Sequence, residues 1–119
     1  MVNVRFYTNK GMLCLRVEGH ARSAPKGEDV VCAGASVLAA TLADFCTLMG
    51  IHGELEKEPY IKMDTGIAVI KAKPKPESRG KLLLSFSVIA TGMSAMQRNY
   101  PEYIRLTLFE RSAIEDFSK

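Results

Sequence analysis

The chain has 119 residues, with 16 Lys and Arg against 13 Asp and Glu and a formal net charge of +3. That length admits one domain with a real core and excludes two, and so mild a charge does not by itself argue nucleic-acid binding. Hydrophobic residues make up 47% and charged residues 24%, ordinary values for a soluble globular protein. Three cysteines, an odd number, follow an opening MVNVRFYTNK without an apolar signal core, so a reducing cytoplasm is expected rather than a disulfide framework.

Val2, Val4 and Phe6 alternate with polar neighbours, and Leu13, Leu15 and Val17 do so again beyond an Asn9-Lys10-Gly11 turn. This is the period of a half-buried β-hairpin. A loop from His20 to Glu28, holding Pro25 and Gly27, leads to Asp29, a suitable N-cap for the helix that follows. In that helix Val31, Ala35, Leu38, Leu42, Phe45 and Met49 form one apolar stripe, with Gly50 as the expected stop. From Val30 to Ile51 the only charge is Asp44, and the length would span a bilayer. Gly34, Ser36, Thr41 and Thr47 dilute the stretch, so a helix packed on nearly all sides of a core is expected and no membrane contact.

Glu54 to Met63 and Ile67 to Lys73 flank the turn Asp64-Thr65-Gly66, which predicts a second hairpin. Lys71 to Lys81 reads as a basic linker, its Lys71, Lys73 and Lys75 a solvated run. Leu82, Phe86, Ile89, Met93, Met96 and Tyr100 predict a second helix ended by Pro101, with Gly92 costing it about 1 kcal/mol of propensity. Ile104, Leu106 and Leu108 alternate as a last strand, and the tail 111–119 reads as a short helix. The order ββαββαβ predicts a single α+β domain over 1–119, a two-layer fold with two helices on one face of a mostly antiparallel sheet.

The chemistry concentrates in GHARSAPKGEDVVCAGAS, residues 19–36. Cys32 falls in the first turns of the helix, where backbone N–H groups and the helix dipole favour a thiolate. His20 borders the same loop and can serve as its base. Glu28 and Asp29 oppose thiolate formation, and contact with a protonated His20 outweighs them. Asp29 as a cap would order the backbone at Cys32, and Ser36 lies one turn beyond on the same face. No metal site is expected: His20, Cys14, Cys32, Cys46 and His52 lack paired zinc spacing, and no glycine-rich loop cradles a phosphate, so no cofactor is implied.

Gly19-His20-Ala21, then Gly27-Glu28-Asp29-Val30-Val31-Cys32 and Ala33-Gly34-Ala35-Ser36, resembles the signature of the ribosomal-processing cysteine proteases. The opening hairpin, Asp64-Thr65-Gly66 and Asn99-Tyr100-Pro101-Glu102-Tyr103 are also similar, so the resemblance covers most of the chain. It implies a homodimeric endopeptidase with His20 and Cys32 as catalytic pair and with Gly19, Asp29 and Ser36 in support. Its substrate would be a ribosomal protein precursor, the twenty-seventh protein of the large subunit, cut after a phenylalanine to remove an N-terminal extension. The loop Ala21 to Glu28 would be mobile and close on substrate. Gly34 departs from the family's larger residue, and the basic linker and tail are longer than usual.

The competing class is a non-catalytic ribosome-associated module whose basic linker makes the contacts and whose Cys32 is buried. Direct nucleic-acid binding is not expected under the leading reading. A homodimer is expected on physical grounds too: Val37, Ala40 and Cys46 on the first helix and Leu83 and Val88 on the second exceed what one core-facing stripe covers.

Overall fold

Alternation in the first hairpin sets the sheet. Strand β1 (Val2–Asn9) pairs antiparallel with β2 (Met12–Glu18), Phe6 opposite Leu15, and Val2, Val4, Phe6, Leu13 and Leu15 point into the core. Helix α1 (Lys26–Ile51) follows, then β3 (Tyr60–Asp64), β4 (Ile67–Ala72), helix α2 (Arg79–Asn99) and β5 (Ile104–Thr107). This computed structural model describes residues 1–19 and 26–108, without the side chains of Lys26 and Glu28. The expectations for His20, for loop residues 21–25 and for the tail 111–119 lie outside the described residues.

The strand order is β3-β4-β2-β1-β5. The β1–β2, β2–β4 and β3–β4 pairs are antiparallel, whereas β5 joins the edge parallel to β1. Both helices cover one face, giving the expected ββαββαβ two-layer α+β fold. The β3–β4 hairpin turns at Thr65-Gly66, Gly66 having φ +79°.

Several boundaries differ from the sequence reading. Helix α1 begins at Lys26, so Asp29 sits inside its first turns and is not the N-cap, and Lys26 to Glu28 are helical rather than loop. The helix ends past Gly50, at Ile51, because Gly53 is the residue that takes the left-handed conformation (φ +73°). Its N–H bonds the Gly50 carbonyl at 3.1 Å and the Glu54 N–H bonds that of Met49 at 2.9 Å. Residues 54–59 are not strand: Pro59 has no N–H for a ladder, and the segment is held by a bridge of Leu55 to Pro74. The supposed linker 71–81 contains the end of β4, a 3-10 turn (Pro76–Ser78) and the start of α2.

The expected α1 stripe is rotated. The face on the sheet is Val31, Ala35, Ala39, Leu42, Ala43, Cys46 and Met49, where alanines allow close approach, while Leu38 and Phe45 are half-buried beside it. Cys46, counted as a surplus apolar residue, is fully buried. Packing on nearly all sides does not hold either: only 33% of the apolar window in Asp29–Ile51 is buried, and Val37 is 65% exposed.

Helices α1 and α2 run antiparallel, and two glycines let them meet. A Cβ on Gly34 would stand 2.5 Å from the Met96 sulfur, and one on Gly92 would stand 3.0 Å from a Leu38 methyl. Gly92 therefore gives up helix propensity for close packing. Gly27 does the same against a ring: its Cβ would lie 2.6 Å from Tyr103, whereas Gly80 has nothing within 4 Å.

These surroundings predict opposite signs for one kind of substitution. Gly80→Ala should stabilise the protein by about 0.5–1 kcal/mol through helix propensity. Gly27→Ala, in an equally helical position, should lose about 1–3 kcal/mol by overpacking the Tyr103 ring. Urea unfolding midpoints of the two variants check both.

Candidate active site

The N-terminal turns of α1 lie over one corner of the sheet and leave a cleft there. Asp29, Cys32 and Ser36 share the helix face that lines it, at spacings of three and four. From the sheet come Val17 and Gly19 at the end of β2, and Met63, Asp64 and Gly66 at the β3–β4 turn. A backbone bond from the Gly19 N–H to the Gly66 carbonyl, 3.0 Å, ties these two ends together. Gly19 has φ +118°, and a Cβ there would collide with the Met1 carbonyl oxygen. Only glycine fits, and it is the residue from which the chain leaves toward His20.

Of the predicted site residues, the structure brings Gly19, Asp29, Cys32 and Ser36 to one cleft. His20 and residues 21–25 lie outside the described residues. Sequence reasoning missed Met63 and Asp64 as cleft residues. The Asp-Thr-Gly turn signalled a hairpin, but only the strand order shows that its tip ends beside α1. No group of three or more potential metal ligands occurs among the described residues.

The three thiols are not equivalent. Cys14 and Cys46 are fully buried, and Cys32 is half-buried at the cleft wall. Burial pushes the Cys46 thiol up to about 12 and raises that of Cys14. Because α1 starts at Lys26, Cys32 is its seventh residue and lies past the four N–H groups that a helix end leaves free, so the help expected from the helix end is not what sets this thiol apart; its access to the open cleft is.

Residues 1–105 match the family described as cysteine protease Prp, and the chain belongs to that family of cysteine proteases. It is 28% identical over 111 residues to the ribosomal processing cysteine protease Prp of Bacillus subtilis, covering 87% of this chain and 92% of that protein. A Staphylococcus aureus ribosomal processing protease Prp, solved with a covalently linked product peptide, superposes with a TM-score of 0.64 at 25% identity, covering 91% of this chain and 99% of that one. A Streptococcus mutans protein superposes with a TM-score of 0.66 at 25% identity, covering 92% and 96%.

Two outcomes follow from the thiol environments. Iodoacetamide at neutral pH should modify Cys32 alone in the folded protein, with Cys14 and Cys46 reacting only after unfolding, as peptide mapping will show. The raised pKa values also set an alkaline limit. A thiol whose folded pKa lies above its unfolded value stabilises the fold below the unfolded value and loses that contribution as pH rises toward the folded one. Unfolding midpoints should be flat near neutrality and fall from roughly pH 9 toward about 12, with a shallower fall in Cys46→Ala.

Proposed function

We propose that this protease removes an N-terminal extension from the precursor of the twenty-seventh large-subunit ribosomal protein, cutting after a phenylalanine, with Cys32 as nucleophile and His20 as its base. The observation that carries the reading is the placement of Cys32, the one cysteine of three that reaches the cleft. A buried, inert thiol, which the non-catalytic alternative requires, is not what stands there. Further support comes from the relatives, whose names describe ribosomal processing.

In this mechanism His20 takes the Cys32 proton, and the thiolate attacks the scissile carbonyl. Collapse of the tetrahedral adduct breaks the C–N bond, and His20 passes its proton to the leaving amine. Water, deprotonated by the same imidazole, then hydrolyses the thioester and returns Cys32. Asp29 and Ser36 lie one turn to either side of Cys32 on the same helix face and act as positioning residues, and the part of the predicted loop outside α1, residues 21–25, closes over bound peptide. The protein works in the cytoplasm, where the thiol stays reduced.

The working unit is a homodimer. On the outer side of the helical layer Val37, Leu84 and Val88 are 65%, 66% and 59% exposed, and the groove between the helices is lined almost wholly by apolar atoms of Leu42, Phe45, Leu84, Val88 and Ile89. Two-fold pairing through such a surface is the commonest way to cover it.

The test is cleavage of a peptide spanning the extension and mature start of that ribosomal protein from the same genome. Cys32→Ala and His20→Ala should each abolish cleavage with the fold intact, and Cys32→Ser should be nearly inactive yet bind the peptide. Turnover above a few per cent in Cys32→Ala would remove the nucleophile assignment. Sedimentation at micromolar concentration should give twice the chain mass of 13.1 kDa, and a monomer would refute the dimer.

A further inference from the structure

The sheet face turned away from the helices carries the inference. Pairing register places Lys62, Val69, Arg16 and Arg5 in one row across β3, β4, β2 and β1 on that side. The adjacent row is Tyr60, Lys71, Cys14 and Tyr7. Four cations and two tyrosines therefore share one sheet face about 14 Å across, taking roughly 4.8 Å per strand spacing.

Charge on this face is arranged against the economy of the fold. Arg5 stands directly opposite Arg16, a like-charge cross-strand pair that costs stability. Glu18 pairs with Arg16, and the other acid of this face, Asp64, lies in the same end row as Glu18, beside the cleft. Each tyrosine is overlaid by a cation: the Arg5 guanidinium lies 5.0 Å from the Tyr7 ring centre, and the Lys71 ammonium 5.7 Å from that of Tyr60. Tyr60 remains 54% exposed. Cys14 and Val69 between them are both buried, and Cys14 is hydrogen-bonded to the Tyr7 side chain.

We propose that this sheet face, which no described helix or strand covers, binds single-stranded RNA, its cations on the phosphates and Tyr7 and Tyr60 stacking with bases. Cations beside aromatic rings on a sheet face are how single strands are held. The two rows carry four cations and no acid, which favours a polyanion over a protein partner. The cleft at Cys32 lies on the helix side of the sheet, so RNA and peptide can be bound together, and the inference stands whether or not the proposed substrate is right.

Fluorescence anisotropy with a labelled mixed-sequence RNA of about twelve nucleotides tests it. The affinity of the wild-type protein should fall with salt with a log–log slope of about −3, as four phosphate contacts require. Arg5→Gln/Lys62→Gln should roughly halve that slope and weaken binding about tenfold or more at 0.1 M salt. Lys62→Gln alone, at an exposed edge position, gives a smaller loss in the same direction should the double variant unfold. Tyr60→Ala should weaken binding at unchanged slope, and Lys57→Gln, off the sheet, should change nothing. Absence of binding at about 50 mM salt, an equal loss with Lys57→Gln, or a labelled polyglutamate peptide binding as tightly as RNA would each overturn the proposal.

Discussion

The ring of Tyr103 packs on the bare backbone of Gly27, and this contact holds the start of α1 over the sheet corner. Tyr103 is itself fastened, its carbonyl accepting the Val2 N–H at 2.8 Å and its N–H reaching the Tyr100 carbonyl at 3.0 Å. At the other side of the corner, Gly19 is wedged against Met1 and hydrogen-bonded to Gly66. Both ends of the connection between sheet and helix are thus fixed by glycines that admit no side chain. Cys32 comes to the cleft because the N-terminal part of α1 is set there, which the proposed mechanism needs, since a nucleophile displaced by even an ångström loses most of its advantage.

The helical layer obeys the same economy of side-chain volume. Alanines at 35, 39 and 43 let α1 sit down on the sheet, and Gly34 and Gly92 let α2 close on α1. The core is completed by large residues from the other elements, Phe6 meeting Phe86 edge to face at 6.4 Å. Helix α2 in turn grips the edge strand, the Gln97 side-chain oxygen accepting the Leu106 N–H at 2.7 Å. So apolar a helix packed by small residues on one side leaves apolar surface on the other. That is why α1 has the length and hydropathy of a membrane span in a fold that uses it as half of a helical layer.

Element order was legible in the sequence because it rests on local periodicity: strands at Val2 and Leu13, helices at Val31 and Leu82, a turn at Asp64-Thr65-Gly66. What was not legible depends on contacts distant in sequence. Asp29 looked like a cap because Asp caps helices, yet the helix starts three residues earlier at Lys26, over Tyr103. Gly92 read as a weakness and Gly34 as a departure from the resembled family until each was seen to meet a partner across the helix pair. Cys46 and Leu38 exchanged roles because the stripe chose the larger residues, whereas the sheet accepts the smaller ones. Of the site, Cys32 and its companions on α1 could be read from spacing, but Met63 and Asp64 join the cleft only through strand order.

The central claim is that Cys32 carries the acyl group of the cleaved peptide. Acid-quenching the wild-type protein during the first turnover and weighing the intact chain tests it most directly. The account predicts a chain heavier by the N-terminal fragment, the adduct mapping to Cys32 and released by hydroxylamine as a thioester. Cleavage proceeding with no adduct on Cys32, or with the fragment on another residue, would contradict it.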